Sequence, residues 1–292
     1  MHLLNLPHLL SKTKYPSHVI QIYWPCDIGL TKVNENIMKI SKYIKFITRS
    51  LGAQMYNASR PTVKENSGYC HCCRSNVVFK SNEGWLRDYY HCMQCHSIPR
   101  QRHLQHILDK FFPDWQTKKI HESSPSNNFI SKYSGKNYSS SQFFNDVTPG
   151  QYADNTRCEN LERLTFEDNT FDIIITQDVF EHIFNPDLAA KEIMRVLKPG
   201  GAHIFTAPKH KALQHSGPRA SLTNGEIIHF KEEQYHGNPI GDGRSLVTWD
   251  YGDDFESQLN KWCGFSTVTY VTRDEYLGID GEYLEVFVTR KI

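Results

Sequence analysis

The stretch LTFEDNTFDIIITQDVFEHIFNPDLAAKEIMRVLKPGGAHIFTAP, residues 164–208, carries the punctuation of a strand, a helix and a second strand. FDIIIT, at 171–176, is a near-continuous apolar run of the kind shown by a strand buried on both faces. AHIFTAP, at 202–208, repeats that pattern. Between them Asn185 stands at the expected helix cap, Pro186 suits the first helical position, and KPGG at 198–201 offers glycines able to take positive φ where the helix stops. Ala189, Ile193, Val196 and Leu197 form its predicted inner face. Strand, helix and strand in this order imply a right-handed crossover and a parallel sheet.

Working outward, KKIHE at 118–122 and NYSSSQFF from Asn137 read as two earlier strands, and SIPRQRHLQHILDKFF reads as the helix leading into them, with Arg100, Arg102 and His103 near its start. The tail gives a helix around Asp254 to Trp262, a strand FSTVTYV from Phe265 and a strand YLEVFVTR from Tyr283. These last two, joined by LGIDGE, are expected to form the antiparallel edge. Residues 1–36 show no sustained period. In IMKISKYIKFITRSLG, Ile37, Ile40, Ile44, Ile47 and Leu51 share one side at helical spacing, with lysines elsewhere. That segment reads as a basic amphipathic helix packed on its own protein, with weak contact to a membrane surface as the alternative. Met38 opens a stretch resembling an ordinary N-terminus, so residues 1–37 are expected to be dispensable.

Lysine plus arginine number 33 against 32 acidic residues, for a net charge of +1, so the chain lacks the basic excess of a dedicated nucleic-acid binder. Its apolar runs fall short of the roughly 18–20 residues of a membrane span, and MHLLNLPHLL lacks the basic and hydrophobic regions of a signal peptide. A cytoplasmic location is the expectation. Four of the eight cysteines fall in two pairs, Cys70 with Cys73 and Cys92 with Cys95, with 18 residues between the pairs. That spacing predicts a structural zinc site closed by four thiolates, not a disulfide framework. Cys72 is a spare thiol, and His71, His91 and His96 are possible substitutes. Trp85, Tyr89 and Tyr90 between the knuckles are expected to be the core of this small module, although they would also suit stacking on bases.

The acidic turn, the FD opening the strand, the EH after it and the RVLKPGG turn resemble the central half of a class I S-adenosylmethionine-dependent methyltransferase, of the type 11/12 group. The order of the knuckles, HESSPS, YSSSQFF, CENLERLTF, TQDVFEH, GGAHIFTAP and YHGNP is similar, more narrowly, to bacterial zinc-ribbon methyltransferases of unassigned substrate, over residues 68–292. The resemblance implies an α/β, Rossmann-like, seven-stranded, mostly parallel sheet with an antiparallel last strand, preceded by a four-cysteine zinc ribbon. It divides the chain into an extension (1–67), a ribbon (68–98) and a methyltransferase domain (99–292). S-adenosylmethionine and structural zinc are the implied cofactors. HESSPSNN, at 121–128, falls where the family has a glycine-rich turn, with Glu122 as its carboxylate and Ser123 and Ser124 as small residues. Ser140, Ser141 or Gln142 fills the place of the acidic residue that holds the ribose, and Asn160 matches the position that meets the adenine edge.

Asp178 and Glu181 have the spacing of a capping box, which accounts for both carboxylates, while Asp178 remains a cofactor-edge position. Gln177, the first residue past the strand, is expected to line the pocket, and His182 is either a core histidine or a catalytic one. The long stretch at 227–255, rich in Gly and Pro, reads as an acceptor lid, with His236 as the candidate general base. The expected reaction is methyl transfer to a small-molecule or sugar acceptor. An RNA base methyltransferase is one alternative, because the resemblance extends to ribosomal RNA enzymes with a zinc ribbon before this domain, and an inactive scaffold of the same fold is another, because the glycines and the ribose carboxylate are missing.

Overall fold

Ile173, Ile174 and Ile175 of the apolar run point alternately to opposite faces of one sheet, and this sets the layers of the fold. The computed structural model describes residues 61–153, 155–237 and 243–292, which belong to the unit Pro61–Ile292. The segment expected to form an amphipathic helix, and the question of residues 1–37, lie outside the described residues, as do Asn238 and Asp242 of the lid.

The first elements are β1 (Lys64–Cys70), β2 (Ser75–Ser81), a one-turn helix α1 (Leu86–Tyr89) and β3 (His91–Cys92), whose strands form an antiparallel three-stranded sheet. Then come α2 (Pro99–Phe111), β4 (Ile120–Ser123), α3 (Ser131–Ser134), β5 (Tyr138–Gln142), β6 (Tyr152–Ala153), β7 (Thr156–Cys158), β8 (Phe171–Gln177), α4 (Pro186–Val196) and β9 (Leu197–Thr206). The lid region holds β10 (Gly217–Pro218), β11 (Ala220–Thr223), β12 (Glu226–His229), β13 (Tyr235–Gly237), β14 (Arg244–Leu246) and β15 (Trp249–Asp250). The chain closes with α5 (Phe255–Cys263), β16 (Thr267–Tyr270) and β17 (Val286–Arg290).

The main sheet has the order β16-β17-β9-β8-β4-β5-β7-β6. Strands β9, β8, β4, β5 and β7 run parallel, and β17 inserts antiparallel between β16 and β9. The sheet has eight strands where seven are expected, because the two-residue β6 pairs antiparallel with β7 at the far edge. Leu104, Ile107 and Leu108 of α2 pack on the face that carries Ile173 and Ile175, while Ala189 and Ile193 of α4 with Phe255 and Leu259 of α5 pack on the other. The result is a Rossmann-like three-layer α/β frame.

Three local expectations are corrected. Asn185 does not cap α4 with its side chain; its Nδ2 donates to Glu162 Oε2 at 2.8 Å instead. The glycines of KPGG lie inside β9, which starts directly at Leu197 after the helix has ended, so they do not stop the helix. Gly200 has φ +79°, and a Cβ on Gly201 would lie 2.9 Å from the Asp172 carbonyl oxygen, so both positions need glycine. The stretch read as a long loop is built of short antiparallel pairs, β11 with β12, β13 with β14 and β10 with β15.

Candidate active site

Strand order reverses around β4, which has β5 and β7 on one side and β8 and β9 on the other. In open parallel sheets a ligand crevice lies beyond the carboxyl ends of the strands at such a point. A cavity of about 970 Å³ opens there. Ser123, Ser124, Gln142, Asn160, Gln177, Asp178, His182 and His236 all line it. Glu122 and Ser140 are not among the lining residues.

The serine loop keeps the path that a glycine would take. Ser124 has φ +54°, in the left-handed region, and its N–H donates to the Ser141 carbonyl at 2.7 Å. The loop is thereby pinned to the neighbouring strand and leaves the crevice open. On β5, side chains alternate between faces. Ser139 and Ser141 turn to His121, whose Nδ1 and Nε2 each lie 3.0 Å from one hydroxyl. Burial and the Arg157 charge lower His121 to about 3, so the ring is neutral and splits donor and acceptor between the two serines. Gln142, at the strand end, is the residue of this group that reaches the cavity.

Glu122 is buried on β4, where it accepts from the Tyr138 hydroxyl at 2.8 Å and from Gln177 Nε2 at 2.9 Å. Burial pushes its carboxyl up to about 7, outweighing both donors, which favour the charged form. Glu122 thus orients Gln177 from behind, and Gln177 lines the cavity with a buried Oε1 that has no hydrogen-bond partner among the described residues.

Asp178 and Glu181 do not form a capping box. The element that follows is a single 3-10 turn, Phe180–His182, and Asp178 has φ +52° with its carboxylate 2.6 Å from Arg87 Nη2 and 2.9 Å from Arg100 Nε. Burial would raise that carboxyl, but the guanidinium groups of Arg100 and Arg87 outweigh it and hold it well below the ordinary range. Arg87 belongs to α1, between the two cysteine knuckles, so this module forms one wall of the cavity through Trp85, Arg87 and Asp88. The sequence contains no periodic signal for that contact. Its one sign is an arginine between knuckles. Of the three aromatics expected in the module's core only Tyr90 is buried; Trp85 and Tyr89 are 44% and 49% exposed, and Trp85 faces the cavity. His182 is half-buried, its Nδ1 bonded to the Leu246 carbonyl at 2.8 Å, and His236 stands on β13 of the lid with its ring 5.1 Å from that of His182.

The four cysteine sulfurs converge. Cys70 and Cys95 lie 3.7 Å apart and Cys73 and Cys92 3.9 Å apart. Zinc–sulfur bonds of about 2.3 Å in a tetrahedron require sulfurs about 3.8 Å apart. The donor set therefore fits zinc. Each knuckle ends in a matched turn: Arg74 N–H bonds the Cys70 carbonyl and His96 N–H the Cys92 carbonyl, with both residues at positive φ. His71 is no fifth ligand; its Nδ1 bonds Asp109 at 2.8 Å and its Nε2 lies 3.1 Å from His106. Cys72 is buried outside the quartet.

Residues 127–205 match the family model described as methyltransferase domain. An uncharacterised methyltransferase of Schizosaccharomyces pombe is 32% identical over 124 residues, 37% of this chain and 40% of that protein. The ubiquinone/menaquinone biosynthesis C-methyltransferase UbiE of Hydrogenovibrio crunogenus is 50% identical over 42 residues, 14% of this chain and 16% of that one. The chain thus spans 40% or less of the length of these relatives. Among solved structures, an S-adenosylmethionine dependent methyltransferase from Mesorhizobium loti has a TM-score of 0.43 at 11% identity, over 64% of this chain and 97% of that chain. The Burkholderia thailandensis 1,6-didemethyltoxoflavin-N1-methyltransferase, solved with S-adenosylhomocysteine, has a TM-score of 0.41 at 13% identity, over 66% of this chain and 78% of that chain. No helix among the described residues is long and apolar enough to cross a membrane. The central segment of the chain, residues 127–205, is thus similar to the methyltransferase-domain family, and it is set in a Rossmann-like α/β sheet.

Proposed function

We propose that the protein transfers a methyl group from S-adenosylmethionine to a small-molecule or sugar acceptor. The observation that carries this reading is the open crevice at the carboxyl ends of β4, β5 and β8, held clear by the left-handed Ser124. When bound, the cofactor supplies a methyl group on a sulfonium that is its own leaving group. The task left to the protein is alignment of acceptor and donor in a dry site. Ser123 and Ser124 offer hydroxyls beside the amino-acid end, Gln142 offers an amide for the ribose, and Asn160, whose Oδ1 already accepts from the Glu162 N–H at 2.9 Å, offers its Nδ2 and a remaining lone pair to the adenine edge. Arg100, with a buried Nη1 that has no partner, suits a carboxylate. Leu222 and Ile227 from the hairpin of β11 and β12, with Trp85 and Phe143, give the cavity mouth apolar surface, which favours an organic acceptor over a polyanion.

Calorimetric titration with S-adenosylmethionine and with S-adenosylhomocysteine tests the reading. Binding is expected, weakened about tenfold by Gln142→Ala or Asn160→Ala, the effect of about one hydrogen bond. A folded, zinc-loaded protein that binds neither compound would leave an inactive scaffold as the better reading.

A further inference from the structure

Glu181 is 1% exposed, and both its carboxylate oxygens lack a hydrogen-bond partner among the described residues. Such a group is costly to bury unless something neutralises it. Two imidazoles face it without closing a hydrogen bond: His182 Nε2 lies 3.8 Å and His236 Nδ1 3.6 Å from the same oxygen, Oε1. His182 Nδ1 is engaged by the Leu246 carbonyl at 2.8 Å. With the proton on that nitrogen, Nε2 carries its lone pair toward Glu181, the arrangement that orients metal-binding histidines. Three ligand atoms, all within 4.8 Å of one another, thus surround a point beside the cavity. Bonds of about 2.0–2.2 Å in a tetrahedron require separations of about 3.3–3.6 Å; the two histidine–carboxylate separations, 3.8 and 3.6 Å, lie within a few tenths of this, and the two imidazole nitrogens are within 4.8 Å of each other.

We propose that Glu181, His182 and His236 bind a second divalent transition ion, of the zinc class, at the cavity wall. Two histidines and one carboxylate leave a fourth position for a ligand oxygen, the composition of an open site and not a structural one. The scaffold is rigid on one side: Thr248 N–H bonds the Glu181 carbonyl at 2.7 Å, and the Tyr251 hydroxyl bonds that of Phe180 at 2.8 Å. On the other side His236 comes from the lid, so the ion would tie the lid to the turn after β8. If methyl transfer is the activity, a role which rests on that reading, the fourth position takes an oxygen of the acceptor.

The test is metal content per chain of the full-length protein after loading with Zn²⁺ and gel filtration, repeated with Co²⁺ to read the ligand set by colour. Two equivalents are expected, one with the thiolate spectrum of the cysteine quartet and one without it. His236→Ala, on an exposed strand of the lid, and Glu181→Gln should each reduce two equivalents to one while the thiolate spectrum remains. One equivalent in the wild type, or a second equivalent indifferent to His236→Ala, overturns the proposal. S-adenosylhomocysteine titrated into the same samples keeps the two readings apart: its failure to bind a two-metal wild type would remove the methyltransferase reading and leave the metal site standing.

Discussion

The cysteine knuckles and the serine loop solve the same backbone problem in different ways. Both need a residue in the left-handed region, where glycine is the usual choice, and neither uses it: Arg74 and His96 serve the knuckles and Ser124 serves the crevice. At the knuckles the conformation is secured by local turn bonds from each residue to a cysteine four positions back, with four sulfurs behind them. At the crevice it is secured from outside, by one bond across to the carbonyl of Ser141 on β5. A missing glycine therefore says that the conformation is strained, not that it is absent, and the lesson is to ask what holds it.

The largest way to break the comparison is Cys92→Ser. Structural zinc is worth about 10–16 kcal/mol in isolated fingers, so loss of the site should cost well over about 5 kcal/mol here. Because Trp85 and Arg87 wall the cavity, nucleoside binding should fall with it. Zinc content, urea unfolding and S-adenosylhomocysteine titration check this together; a wild type that holds no zinc, with a variant of unchanged stability, would show that the quartet is only four reduced thiols.

Arg87→Ala comes next, since it cuts the module from the crevice without touching a cysteine. Removing one partner of a buried ion pair costs about 3–5 kcal/mol, and the low end applies because Arg100 still faces Asp178. Asp178 has its folded pKa depressed, so its contribution to stability is present above the unfolded value near 3.8 and is lost as pH falls below it. In the variant the folded carboxyl is less depressed, so this acid-dependent loss should be smaller and should be complete at a higher pH in urea titrations.

Glu122→Gln has the opposite sign. The folded carboxyl is raised from 4.5 to about 7, so the wild type loses stability as pH rises through that window and levels off above it. At about 1.4 kcal/mol per pKa unit the full loss is at most about 3.5 kcal/mol. The variant should be flat from pH 4.5 to 8 and more stable than the wild type at pH 8. Equal pH profiles would mean that Glu122 titrates normally.

What the sequence makes legible follows from the same contrast. The strands at 171–177 and 197–206 and the helix between them are readable because burial and periodicity are properties of adjacent residues. The four cysteines are readable because each pair has the local spacing of a knuckle and the two knuckles bring all four sulfurs together. Asp178 is misread, since its partners Arg87 and Arg100 lie far back in the chain and a local capping pattern offers a ready explanation. The lid is misread as a loop because its paired strands are two to four residues long, too short for alternation to register. Gln142 is not separable from Ser140 in sequence; only the clasp of His121 on Ser139 and Ser141 and the place of Gln142 at the strand end distinguish them.

The smallest effect sharpens the opening comparison most. A left-handed residue other than glycine costs about 1–2 kcal/mol, and glycine gives back about 0.5–1 kcal/mol in unfolded-state entropy. Ser124→Gly should therefore stabilise the protein by up to about 1 kcal/mol, without weakening nucleoside binding by more than the loss of one hydroxyl. The equivalent change in the module should not. Arg74 covers the Tyr133 ring at 4.0 Å and lies 3.6 Å from Asp109, so Arg74→Gly removes contacts that offset the relief of strain. Urea midpoints of the two variants, measured side by side, decide the matter. If Ser124→Gly gains nothing, the serine loop has an attachment that the Ser141 bond alone does not supply; if Arg74→Gly gains as much as Ser124→Gly, the arginine side chain contributes nothing and the knuckle is held by its sulfurs alone.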